Sequence, residues 1–240
     1  MKKCALVFVM ASLAVFFGCK ENLYNTALKR KGLFNDTIHL AKVKKGDKEI
    51  VYIPMQHIGT VLFYKDVKHK IDSLKNNNYF FYLEKVNVEI TDTISIRKFK
   101  KMTNIPMVKN GYMDSMDSIV KTKLKKELIN QPTYEALGLD SLNSKNVDVS
   151  LKDMISYYES NFSEIILEPC DYKTSIYNRT DCKNFKKNTI FETEIIYNFR
   201  DKHIVDEIQN DNHNKIAIIY GKNHFIGITK RLMSLGYYYF

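Results

Sequence analysis

Tryptophan is absent from the 240 residues, and cysteine, proline and glycine are scarce, at four, four and nine. Four cysteines are too few for a disulfide-dense scaffold. So little proline and glycine excludes a collagen-like or low-complexity chain. No apolar run reaches the roughly 18 residues that a transmembrane helix needs. Arginine is scarce as well: only Arg30, Arg97, Arg179, Arg200 and Arg231 among the 37 basic residues. The net charge of +10 is therefore lysine charge, scattered along the chain among Asp and Glu. A nucleic-acid footprint is a basic cluster or stripe, so no nucleic-acid partner is expected. What is present is a hydrophobic fraction of 45%, too high for disorder, on a chain long enough for one sizeable core.

The N-terminus reads as a separate segment. Lys2 and Lys3 precede an apolar run from Cys4 to Gly18, and Cys19 is followed at once by Lys20-Glu21-Asn22. A short apolar run behind two lysines is the pattern of a secretory signal. The ending Phe16-Phe17-Gly18-Cys19 resembles a bacterial lipobox, whose cysteine is lipidated and becomes the first residue. The expectation is a lipoprotein signal peptide over 1–18, a polar tether over 19–36 and one domain over 37–240. Removing 1–18 leaves 222 residues and, because two lysines and no acid go with it, a charge of +8. The lipid on Cys19 would hold the protein to a membrane of the bacterial envelope, on its periplasmic or outer side. In that oxidising compartment the remaining Cys170 and Cys182 are expected to form a disulfide.

The rest of the chain alternates strand-like and helix-like segments. Thr37–Val43 and Glu49–Ile53 read as a hairpin around Gly46-Asp47, with Pro54 ending the second strand. Phe63, Val67, Ile71 and Leu74 share one helical face, Asn76-Asn77-Asn78 breaks that helix, and the aromatic run Tyr79–Val86 reads as a strand. Met116, Val120, Leu124 and Leu128 recur every four residues in a helical middle. Ser150-Leu151-Lys152-Asp153 is a capping-box-like start to another helix. Glu164–Leu167 is a short strand candidate, and 170–189 is polar loop. Residues 191–210 read as a helix burying Ile195, Phe199, Ile204 and Ile208. Lys215–Tyr220 is an apolar strand, followed by a loop, a helix to Leu235 and a buried strand Tyr237–Phe240. The expected fold is α/β: a mixed central sheet flanked by helices, in two related halves with a helical insertion between them.

The two halves share a pattern. Ile50–Ile53 leads to His57, Gly59, a helix and the strand Tyr79–Tyr82. Ile216–Tyr220 leads to His224, Gly227, a helix and Tyr237–Phe240. Each half thus places one histidine just past a strand, where open α/β sheets bind ligands. Glu84 lies near the end of the strand that follows the first helix. Two imidazoles and a carboxylate are ligands of catalytic zinc and of harder divalent ions, which lower the pKa of bound water and polarise a carbonyl. Arg200, on the helix before the second strand, is a permanent cation suited to a substrate carboxylate, to a developing oxyanion or to pairing with Glu84. The nucleophile-elbow, phosphate-loop, dinucleotide and H-E-x-x-H patterns are all missing.

Gly221-Lys222-Asn223-His224, with Gly227 and then Leu235-Gly236-Tyr237, resembles the second G-x-x-H motif of the TraB/GumN family. That family includes the TIKI-type proteases and is similar to the erythromycin esterase and ChaN-like proteins. Pro54-Met55-Gln56-His57, Phe63-Tyr64 and Glu84 resemble its first motif block and acidic residue, with Pro54 standing where the family usually has glycine. Asn198-Phe199-Arg200-Asp201 resembles its arginine-containing helix, and Val147–Leu151 its mid-domain aspartate block. The resemblance implies two related halves around a shared pocket and, as in TIKI-type members, metal-dependent hydrolysis. His57, Glu84 and His224 would then hold manganese, cobalt or zinc and act in catalysis, assisted by Arg200, on a peptide or small ester. The alternative expectation is a non-catalytic envelope lipoprotein that binds a peptide, glycan or protein.

Overall fold

The computed structural model describes residues 23–109, 111–115, 121–183 and 185–240. Cys19, and Met116 and Val120 of the expected middle helix, lie outside them. The described chain divides into two compact units. One comprises the residues up to Ile38 with Gln56–Val67 and Asn110–Pro132, and the other His39–Met55, Lys68–Lys109 and Thr133–Phe240.

The second unit carries a mixed six-stranded sheet flanked by helices, the expected α/β architecture. Its strands are β1 Ala41–Lys45, β2 Lys48–Met55, β4 Phe80–Leu83, β6 Ser144–Asn146, β7 Lys215–Gly221 and β8 Tyr238–Tyr239. Their order is β6-β4-β7-β2-β1-β8. β6, β4, β7 and β2 are mutually parallel, while β1 is antiparallel to both β2 and β8. β1 and β2 form the expected hairpin: Lys45 pairs with Lys48 across a two-residue turn, and Gly46 takes the positive φ of +55° that such a turn requires.

All five interior residues of β7, Ile216–Tyr220, are buried, as befits a central parallel strand covered on both faces. Ile216, Ile218 and Tyr220 pack on one face with Tyr52 and Tyr82. Against them lie Ile204, Val205 and Ile208 of helix Arg200–Asn210 (α5) and Ile228 and Leu232 of helix Phe225–Ser234 (α6). Each such isoleucine contributes roughly 1.5–3 kcal/mol by leaving water. A second cluster joins Met154, Ile155 and Tyr158 of helix Leu151–Asn161 (α3) to Phe191, Ile195 and Met102. The capping box that starts α3 forms as expected, with Ser150 and Asp153 bonding reciprocally. Met102 lies on helix Thr93–Thr103 (α2), whose N-cap is Asp92.

The first unit holds a helix over 23–30, a two-stranded ladder of β3 Ile58–Gly59 with β5 Ile129–Asn130, and a 3₁₀ turn, Tyr112–Ser115. Helix Val61–Asn76 (α1) begins in this unit, where the Thr60 hydroxyl accepts from Phe63 N at 3.0 Å, and ends before Asn78 at φ +61°.

Several local expectations give way. β2 continues through Pro54 to Met55. Pairing with β1 stops at Tyr52, so Pro54 sits where β2 is open on that side, a position that tolerates proline. Residues 164–167 are not a strand, and the expected loop after them opens with a short helix, Pro169–Lys173 (α4). Residues 164–167 have no sheet neighbour among the described residues, and Ile165 is buried against α3 instead. Residues 123–128 are not helical, though Leu128 is buried. The segment read as a tether is helical over 23–30 and anchored: the Asn25 side chain donates to Lys123 O and accepts from Lys125 N, both at 2.9 Å. At the C-terminus only Tyr237 is buried, while Tyr238, Tyr239 and Phe240 are about half exposed because β8 is an edge strand.

Candidate functional site

The C-terminal ends of the parallel strands β4, β6 and β7 deliver Glu84, Asp148 and His224 to one place. α5 delivers Arg200 and Asp201. A π-helical stretch, Phe191–Phe199, runs straight into α5 with Arg200 as its first residue. The buried stripe of α5 is Arg200, Asp201, Ile204, Val205 and Ile208, a helical core face whose first turn is charged.

Arg200 is the hub. Its Nε and Nη2 donate to the two Asp148 carboxylate oxygens at 2.9 and 2.7 Å, a bidentate pair. Nη2 also donates to Glu84 Oε1 at 2.7 Å, and Nη1 lies 3.2 Å from His224 Nε2. The guanidinium stands over the Tyr220 ring, 5.4 Å from its centroid. Burial opposes its charge, but Tyr220, Asp148 and Glu84 outweigh that and hold the Arg200 pKa well above its ordinary value. It is a fixed, dehydrated cation.

Glu84 is fixed at both ends. Its backbone N–H donates to Ile219 O at 3.1 Å, and its carbonyl accepts from the Tyr134 hydroxyl at 2.7 Å. Its Oε2 accepts from Gly221 N. A Cβ at Gly221 would lie 3.1 Å from that same oxygen, so the glycine lets the carboxylate approach the backbone. The Gly221 carbonyl in turn accepts from the Tyr52 hydroxyl at 2.8 Å. Burial, reinforced by the Glu84 and Asp201 carboxylates, pushes the Tyr52 phenol far above its ordinary range, so it stays a donor.

His224 closes a 3₁₀ turn, Lys222–His224, directly after β7. Its Nδ1 is 2.6 Å from Asp201 Oδ1, and its ring meets the Tyr220 ring edge-on at 5.0 Å. Arg200 has only donors, so the Arg200 contact needs a lone pair on Nε2. The network therefore assigns the proton to Nδ1, facing Asp201. Asp201 is 2% exposed and His224 4%.

Of the residues singled out in the sequence, Glu84, Arg200 and His224 converge here. His57 belongs to the first unit, where it is exposed and stacked on Tyr112 with centroids 4.5 Å apart. Asp148 and Asp201 were visible only as members of the motif blocks, with no role attached. Cys170 and Cys182 are joined by a disulfide, Cα atoms 5.6 Å apart.

The donors do not fit a divalent ion shared by Glu84 and His224. Both Glu84 oxygens, both His224 nitrogens and both Asp148 oxygens already face protein partners, and the centre they surround holds the Arg200 guanidinium. Among the described residues, the group of three candidate ligands is Cys170, Asp171 and Cys182, and its two sulfurs are spent on the disulfide. No family model matches the chain, and neither a curated protein nor a solved structure does.

Proposed function

We propose that the chain is a hydrolase of the TraB/GumN type, lipid-anchored through Cys19 in the bacterial envelope, that cleaves a peptide or small ester bond. The observation that carries the reading is the Asp201–His224 pair set against Arg200 and Glu84 beyond the ends of parallel strands, where α/β sheets host ligands. In this reading His224 Nε2 takes a proton from water as the water oxygen bonds to the substrate carbonyl carbon. The second Nη1 hydrogen of Arg200 donates to the oxyanion that forms. The tetrahedral species then collapses, the C–N or C–O bond breaks, and the imidazolium returns its proton to the leaving group. The Cys170–Cys182 disulfide supports an exported location, since such bonds persist in oxidising compartments.

The test is a panel of peptides and short acyl esters offered to the full-length chain in detergent, beside His224→Gln. Hydrolysis by the wild type that His224→Gln lowers at least 100-fold, with an unchanged melting temperature, is the expected result. A second reading, a non-catalytic lipoprotein that binds a peptide, glycan or protein, is favoured by the burial of Arg200 and His224 and the engagement of all their polar atoms. It predicts no turnover of any panel member.

A further inference from the structure

The Asp201 carboxylate is held on two sides. Oδ1 is 2.6 Å from His224 Nδ1. Oδ2 lies against the first turn of α6, where a Cβ built on Gly227 would meet it at 1.8 Å. That distance is impossible for real atoms, so any side chain at position 227 must displace Asp201. Gly227 is three residues beyond His224, and its φ is in no glycine-only region, so space explains this glycine. Asp201 is also chained to Arg200 as the next residue on the same buried stripe of α5, and Arg200 Nη1 faces the other imidazole nitrogen at 3.2 Å. The ring is thus addressed from both sides by consecutive residues of one helix.

We infer that Asp201 is the positioning residue of His224: it holds the imidazole as the Nδ1–H tautomer with the Nε2 lone pair turned toward Arg200, and Gly227 is the vacancy that admits it. The inference rests on the proposed hydrolase for the use made of that lone pair, but the tautomer itself is a property of the resting protein. An aspartate behind a histidine does this in hydrolytic triads, where the amide variant keeps the geometry and presents the wrong tautomer.

The test is ¹⁵N-histidine NMR of the full-length chain in detergent near pH 8, with the His224 signals assigned by their loss in His224→Gln. The wild type is expected to show Nδ1–H. Asp201→Asn should populate Nε2–H on His224 at the expense of its contact with Arg200, and Gly227→Ala should do the same without replacing either polar residue. Asp201→Asn/Gly227→Ala should be no worse than either single variant, because both act through one carboxylate. If the wild type turns over a panel member, each variant should lower kcat by roughly 100- to 10,000-fold with little change in KM. Wild-type His224 found as Nε2–H overturns the inference outright. So does an unchanged Nδ1–H signal in a folded Asp201→Asn or Gly227→Ala protein. Should Asp201→Asn fail to fold, the wild-type tautomer and the Gly227→Ala spectrum still decide. An inactive wild type with the expected tautomer responses would sink the hydrolase and leave the positioning of His224 standing. An active wild type whose tautomer ignores both variants would do the reverse.

Discussion

Arg200 grips Asp148 with two parallel hydrogen bonds, Nε to Oδ1 at 2.9 Å and Nη2 to Oδ2 at 2.7 Å. The pair joins the start of α5 to the segment after β6, and the Asp148 side chain is fully buried. Removing one member of such a pair costs more than the pair contributes, because the survivor is left charged and dry. Arg200→Met should therefore destabilise by about 3–5 kcal/mol, since it strands both Asp148 and Glu84. Arg200→Lys keeps the charge and loses the fork, and should fall between that variant and the wild type. Urea titration monitored by circular dichroism measures both. A cost for Arg200→Met below about 1 kcal/mol would mean that the cluster is solvated.

The same guanidinium makes a prediction about metals. It contacts both Glu84 and His224, and it cannot lose its proton. Protein prepared without chelator should carry far less than one equivalent of manganese, cobalt or zinc by elemental analysis. Extended dialysis against EDTA should change neither the melting temperature nor any hydrolysis found in the panel. A chelator-sensitive activity restored by one of these ions would require Arg200 to swing out of the cluster, against three anchoring hydrogen bonds to carboxylates.

The sheet was legible because its signals are local. The β1–β2 hairpin announces itself through β-rich runs around Gly46, and β7 through five apolar residues in a row. That Glu84, Arg200 and His224 come together was legible from chemistry and strand position, and the repeat of strand, histidine, glycine and helix set His224 just past β7. The same repeat set His57 just past β2, but a pattern along the chain says nothing about which compact unit a residue joins, and His57 falls in the other one. Asp148 and Asp201 also carry signals in the sequence. Asp148 stands between Val147 and Val149, both buried, and Asp201 continues the stripe that Ile204, Val205 and Ile208 define. A carboxylate on an otherwise apolar face is either misplaced or paired with a cation, and Arg200 was its neighbour in sequence. The clamp of Gly227 on Asp201 was not legible, since it depends on how α5 and α6 cross.

Asp211 makes the acid limb of stability testable. It follows α5, and its side chain is 7% exposed. Burial alone would raise its pKa. Hydrogen bonds from the Tyr82 hydroxyl at 2.6 Å, from His213 N at 2.7 Å and from Lys145 outweigh that and hold it well below the usual carboxylate range. A depressed carboxylate stabilises the fold above its unfolded value of roughly 3.9, and the benefit fades as pH falls toward the folded value. Asp211→Asn should therefore cost about 1–3 kcal/mol at pH 7. Its unfolding curve should converge on that of the wild type as pH drops below about 4. A deficit that is the same at pH 7 and pH 2.5 would assign the effect to lost hydrogen-bond geometry and not to charge.

The Cys170–Cys182 bridge spans 12 residues of a polar segment that α2 already holds from the side. Arg97 donates to Thr174 O at 2.8 Å, Lys100 to Ser175 O at 2.8 Å, and Lys101 pairs with the buried Asp171 at 3.0 Å. Thr180 N donates to the Asn104 side chain at 2.8 Å, just past the helix end. With so many native contacts, reduction should leave the segment in place, and the effect of the bridge should lie in the unfolded chain. Closing a loop of this length is worth about 3 kcal/mol at most. Cys170→Ser/Cys182→Ser, or wild type in dithiothreitol, should melt roughly 5–10 °C lower while the native circular dichroism and the His224 tautomer stay the same. The two ways of breaking the bridge should agree within error. A change in the native spectrum on reduction would instead make the disulfide a determinant of the folded loop, and the basic face of α2 would then be too weak to hold Asp171 unaided.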